Sequence, residues 1–83
     1  MKTDYITFRS ITPAQQAQRI LRQAGVDTIL QRTPRHMEQQ GCGYCLRLCP
    51  QDRNRAVSLL QQSGIQFRKL LHTGDQGLQE VLL

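Results

Sequence analysis

Along the chain, apolar residues recur with two different periods, and the alternation between them predicts the elements. From Tyr5 to Arg9, Ile6 and Phe8 alternate with Thr7 and Arg9, the period of two that a half-buried strand requires. Ala14, Ala17, Ile20, Leu21 and Ala24 then repeat at three- and four-residue spacing, which gathers them on one helical face. Thr12-Pro13 opens this helix, because threonine can cap free amides and proline suits the first turn. Gly25 ends it, since a residue without a Cβ adopts the left-handed conformation at little cost. A second, less regular strand is predicted over Val26 to Arg32.

The plan then repeats. A shift of 39 positions superimposes Tyr5 on Tyr44, Ala17 on Ala56, Leu21 on Leu60, Gln23 on Gln62 and Gly25 on Gly64. The second half reads as a strand over Tyr44 to Leu48, a helix over Gln51 to Ser63 with Ala56, Leu59 and Leu60, a stop at Gly64, and a last strand over Ile65 to Leu71. The order βαββαβ predicts an α+β fold, a ferredoxin-like sandwich with two helices on one face of a four-stranded antiparallel sheet. One domain is expected over residues 1–83, with its core over about 5–72 and a short tail, Thr73 to Leu83, that forms a terminal turn or docks on a partner.

Eighty-three residues bury too little surface to enclose both a substrate and a large cofactor, so an elaborate self-contained enzyme is not expected and no cofactor is called for. Eleven Lys and Arg against six Asp and Glu give a net charge of +5, which favours anionic partners. The basic residues are spread from Arg9 to Lys69 without a run, and aromatic content is only 5%, so an RNA-binding sheet built on Tyr5 and Tyr44 is not expected. No stretch approaches the roughly 20 apolar residues of a membrane span, and Met1-Lys2-Thr3-Asp4 leads into a strand rather than a signal peptide. A cytoplasmic protein without a membrane partner is the expectation.

Three cysteines, Cys42, Cys45 and Cys49, crowd into eight positions, a pattern of reduced thiols rather than of a disulfide scaffold. The segment Pro34 to Gly43 joins the second and third strands, and antiparallel order brings it to the same end of the sheet as Ser10, Ile11 and Thr12, where the first helix begins. The partial positive charge of a helix N-terminus favours a thiolate, and Cys42 is the thiol placed to benefit. Arg35 adds a second positive charge to the loop, while Gly41 and Gly43 let the backbone turn tightly around Cys42.

Strand alternation puts Cys45, Arg47 and Cys49 on the open face and Tyr44, Leu46 and Leu48 toward the helices. Cys45 then lies within reach of Cys42 as a resolving thiol, making Cys42-Gly43-Tyr44-Cys45 a CxxC pair. A zinc site using Cys42, Cys45, Cys49 and His36 or His72 is disfavoured, because Cys45 and Cys49 would stand about 13 Å apart along a strand. An iron–sulfur cluster lacks its fourth cysteine. His36 and His72 have no ligand or nucleophile partner in sequence and read as surface or strand-end residues.

Thr33-Pro34-Arg35-His36-Met37, followed by Gly41-Cys42-Gly43-Tyr44-Cys45-Leu46, resembles the selenium/sulfur carrier protein-like family. The resemblance covers nearly the whole chain: an opening strand over Tyr5 to Phe8, an alanine-containing helix over Ala14 to Gly25, the pair Pro34-Arg35, and Cys42-Gly43. It implies that Cys42 holds a persulfide or selenopersulfide, taken from a donor such as a cysteine desulfurase and passed to an acceptor such as a selenophosphate synthase or thiolation enzyme. Cys45 stands where the family has a small residue, and Cys49 is an addition. The other reading is a non-catalytic protein-binding module whose basic sheet face, around Arg9, Arg47 and Arg68, docks an acidic protein while the cysteines are redox-active, metal-binding or bystanders.

Overall fold

The computed structural model describes residues 2–37 and 43–81. β1 (Thr3–Phe8) is followed by α1 (Ile11–Gln23), β2 (Ile29–Arg32), β3 (Tyr44–Leu48), a 3-10 turn (Pro50–Asp52), α2 (Arg53–Gln62), β4 (Lys69–Gly74) and β5 (Gly77–Glu80). All neighbouring strands are antiparallel, in the spatial order β2-β3-β1-β4-β5. The fold is α+β, as expected, but the sheet has five strands instead of four. The expected terminal turn is a strand: Asp75 and Gln76 turn the chain between Gly74 and Gly77, and Gly77 to Glu80 pairs back along β4. Gly77 takes a φ of +85°, which favours glycine at this position.

β1 lies at the centre and carries the core. Ile6 and Phe8 face the same side as Leu46 and Leu48 of β3 and Leu70 of β4, and they pack there with Ala14, Ala17 and Leu21 of α1 and Ala56, Val57 and Leu60 of α2. Both helices therefore cover one face. The alanines of α1 and α2 bring the helix backbones close to the sheet, and Leu21 and Leu60 fill the space between.

The two helices end alike. Gly25 donates to Arg22 and Val26 to Leu21; Gly64 donates to Gln61 and Ile65 to Leu60. With φ of +81° and +72° at the two glycines, both ends are Schellman motifs, which explains the 39-residue repeat at Leu21/Leu60 and Gly25/Gly64. The repeat does not extend to the strands. It superimposes Tyr5, beside Arg47 on the open face, on Tyr44, which pairs with Phe8 on the helix face. A shift by an odd number matches opposite faces when the paired registers need an even one, because side chains alternate with period two. The start of α1 also differs from expectation: Ser10, not Thr12, is the N-cap, and its side chain makes no capping bond.

At the opposite end of β1 from the Pro34–Gly43 loop, Asp4 is completely buried on the helix face. Its Oδ1 is 2.5 Å from His72 Nδ1 on β4, and Arg53 Nη1, on the first residue of α2, is 3.3 Å from Oδ2 without a hydrogen-bonding angle. A buried carboxylate is tolerated when a paired charge and a hydrogen bond replace its lost water. This group fastens β1, β4 and the start of α2. Replacing Asp4 by alanine is expected to destabilise the fold by about 1–3 kcal/mol. Urea unfolding of Asp4→Ala against the unmodified chain measures this, and an unchanged midpoint would show that the carboxylate holds nothing together.

Candidate functional site

The stem of the loop that contains Cys42 is described on both sides. Arg32 and Tyr44 face each other across β2 and β3, with the guanidinium 5.8 Å from the centre of the tyrosine ring. One step further, Thr33 N–H donates to the Gly43 carbonyl at 3.0 Å. Pro34 then begins a turn in which Met37 N–H donates back to the Pro34 carbonyl. Pro34 is half-buried, and Arg35 and His36 are exposed. Gly41 and Cys42 lie outside the described residues, so the geometry of the site is that of its stem and flanks.

Gly43 has a reason other than the one its sequence position suggests. It is not in a left-handed turn. It is buried against the end of β1, where a Cβ would stand 3.0 Å from the Phe8 main-chain carbonyl oxygen and 3.5 Å from Thr33 Oγ1. A side chain there would press on backbone that cannot swing aside, so glycine permits the close approach that seats the loop at the end of β1. Phe8 pairs with Tyr44, and Ser10, the cap of α1, comes two residues after Phe8. The stem is thus at the α1 end of the sheet, as the antiparallel order predicts. The first turn of α1 contains no acidic residue, and Ser10 offers no side-chain cap, leaving the positive end of the helix without a counter-charge of its own.

The other two cysteines occupy different environments. Cys45 pairs with Thr7 of β1 and Gln31 of β2 on the face away from the helices, yet it is fully buried. Burial pushes its thiol pKa up; hydrogen bonding from the Thr33 and Gln31 side chains offsets part of that rise. Cys45 is therefore protonated and shielded at neutral pH. Cys49 lies beyond the end of β3, ahead of Pro50, and is exposed. Among the described residues no three His, Cys, Asp or Glu side chains come together as a metal site.

The basic residues of the expected open-face cluster separate. Arg47 is on that face opposite Tyr5, whereas Arg9 and Arg68 line a groove at the α1 end of the sheet. The Asp4, His72 and Arg53 group was missed in the sequence, where His72 reads as a strand-end residue. Its signal was available: Asp4 shares the parity of Ile6 and Phe8, so a strand extended by two residues at its start buries a carboxylate, which then needs a partner.

Residues 4–72 match the family model described as "Putative Se/S carrier protein-like". The chain belongs to this family. The matched span takes in both helices, β1 from Asp4 onward, β2, β3, most of β4 and the whole Pro34–Gly43 loop, and it ends before β5. No curated protein and no solved structure matches the chain. No helix among the described residues is long and apolar enough to cross a membrane.

The contrast between the buried and the exposed thiol predicts their reactivity. In a Cys42→Ser variant, iodoacetamide at neutral pH should modify Cys49 rapidly and Cys45 at least ten times more slowly, with the two rates converging in denaturant. Peptide mass spectrometry over a time course measures both. Equal rates in the folded protein would contradict the burial of Cys45.

Proposed function

We propose that this protein carries sulfur or selenium on Cys42 between a donor and an acceptor protein. The observation that carries this reading is the family match across the loop, taken with the position of its stem at the uncapped N-terminus of α1. In this reading the first four strands and two helices are a ferredoxin-like sandwich, extended by β5, whose role at this end is to hold the loop.

The chemistry is thiolate exchange. The Cys42 thiolate attacks the terminal sulfur of a persulfide on a donor such as a cysteine desulfurase. The new S–S bond forms on Cys42 as the donor's S–S bond breaks, the donor cysteine leaves as its thiolate, and no net oxidation occurs. In delivery, an acceptor nucleophile attacks the terminal sulfur and Cys42 leaves as thiolate. A selenopersulfide follows the same course with selenium as the terminal atom. The positive end of α1, and Arg35 in the loop, favour the anionic forms of Cys42 and of its persulfide.

The burial of Cys45 limits its part. A shielded, protonated thiol does not compete for a donor's sulfur, so Cys45 as a resolving thiol acts only on a sulfur brought to it within the chain. Cys49, exposed and outside the loop, is not required for carriage.

Incubation with a cysteine desulfurase and cysteine should add one sulfur, about 32 Da, to the intact chain, placed on Cys42 by peptide mapping. Cys42→Ser should lose the adduct, while Cys45→Ser and Cys49→Ser retain it. Equal labelling of all three variants would overturn the assignment.

A further inference from the structure

Beside the loop stem, across the end of β1, the molecule has an open groove of about 860 Å³. Arg68 N–H donates to the Thr7 carbonyl at 2.7 Å on one side of β1, and Gly43 approaches the Phe8 carbonyl on the other. The groove and the stem therefore flank the same end of the same strand. At the spacing of adjacent strands, about 4.8 Å each, they are roughly 10 Å apart.

The groove has an apolar wall and a basic rim. Pro13, Ile65 and Phe67 line it and are only half-buried, although Ile65 and Phe67 also pack on the core. Arg9, Arg68 and Lys69 supply three positive charges, and among the described residues no carboxylate lines it. Arg68 and Lys69 also interact within the chain. The start of α1 and the end of α2 both border the groove, so their opposed dipoles largely cancel and the side-chain charges decide its sign.

We propose that this groove binds an extended acidic segment of the protein that exchanges sulfur or selenium with Cys42, with an apolar side chain against Phe67 and carboxylates on Arg9, Arg68 and Lys69. The identity of the partner rests on the carrier reading; the preference for an acidic peptide rests on the groove itself. Charge complementarity selects the acid, and the apolar wall selects a peptide over a small oxyanion, which would leave that wall wet. A nucleic-acid strand fits less well, because Phe67 is the one aromatic residue among the described residues of the wall and stacking needs successive aromatic platforms. A segment seated there would bring the partner's reacting cysteine to the side of the sheet end where the loop begins, and would align two thiols that otherwise meet only by diffusion.

The test uses the full chain, labelled with nitrogen-15, and a synthetic peptide Asp-Glu-Leu-Glu-Asp as probe. Amide shifts should change at Arg9, Ser10, Gln16 and residues 65–69, and the changes should disappear at high salt. Affinity should fall at least tenfold in an Arg9→Glu, Arg68→Glu double variant, and also in Gln66→Glu, which adds a carboxylate to the groove without removing a cation. Shifts centred on Arg47, no shifts, undiminished affinity in these variants, or tighter binding of a thymidine oligonucleotide to the same amides would each overturn the proposal. The titration is repeated in Cys42→Ser, where binding should persist. Failure of the peptide to bind alongside normal sulfur loading would refute the groove alone, and binding without loading would refute the carrier reading alone.

Discussion

The fold depends on the burial of one face of β1. That strand pairs on both sides, with β3 and with β4, and its inward residues, Asp4, Ile6 and Phe8, run from one end of the core to the other. The hydrophobic middle is ordinary: two helices with alanines where they meet the sheet and leucines where they meet each other. The ends differ. At one, a carboxylate is accepted into the core because His72 and Arg53 compensate it. At the other, backbone approaches backbone so closely at Phe8 and Gly43 that a Cβ would stand 3.0 Å from the Phe8 carbonyl oxygen, a contact glycine avoids. The first end ties the strand to β4 and α2, and the second leads the chain into the loop of Cys42.

That division sets the chemistry of the three thiols. Cys45 is three residues after Cys42, yet strand pairing places it between Thr7 and Gln31 and removes it from solvent. The CxxC spacing suggests a resolving thiol at its fourth position, and here that position lies inside a sheet, where ionisation is penalised. Spacing alone does not make a redox pair. The stem of the loop, for its part, adjoins a helix end without a counter-charge and lies across β1 from a groove whose rim is basic.

Much of the architecture was legible in the chain. The helices announced themselves through period and glycine, and their Schellman ends confirm why the spacing of Gly25 and Gly64 matters. β1, β3 and the inward set Leu46 and Leu48 followed from alternation. The repeat holds in the helices and not in the strand faces, because a helix tolerates an odd shift between related halves and a strand does not. β5 is not legible as a strand because Gly77, Leu78, Gln79 and Glu80 carry little strand propensity; its exposed edge position demands no more. Asp4 is harder to read because a charged residue ahead of a strand pattern reads as solvated, although it shares the parity of Ile6 and Phe8, and the register with His72 shows its partner. The groove was illegible for a similar reason: Arg9 and Arg68 are 59 positions apart, and only the pairing of β1 with β4 brings them together.

The central claim is that Cys42 holds its cargo for delivery rather than consuming it in a disulfide. The most direct measurement is a chase: the protein is loaded with radioactive sulfur by a desulfurase, separated from the donor, and mixed with a second protein bearing an accessible thiolate nucleophile. Carriage predicts that radioactivity leaves Cys42 and appears on the acceptor in equal amount, with the carrier returned as a free thiol. Loss of the label as free sulfide, with Cys42 left in a disulfide to Cys45, would contradict the account and make the loop a redox device.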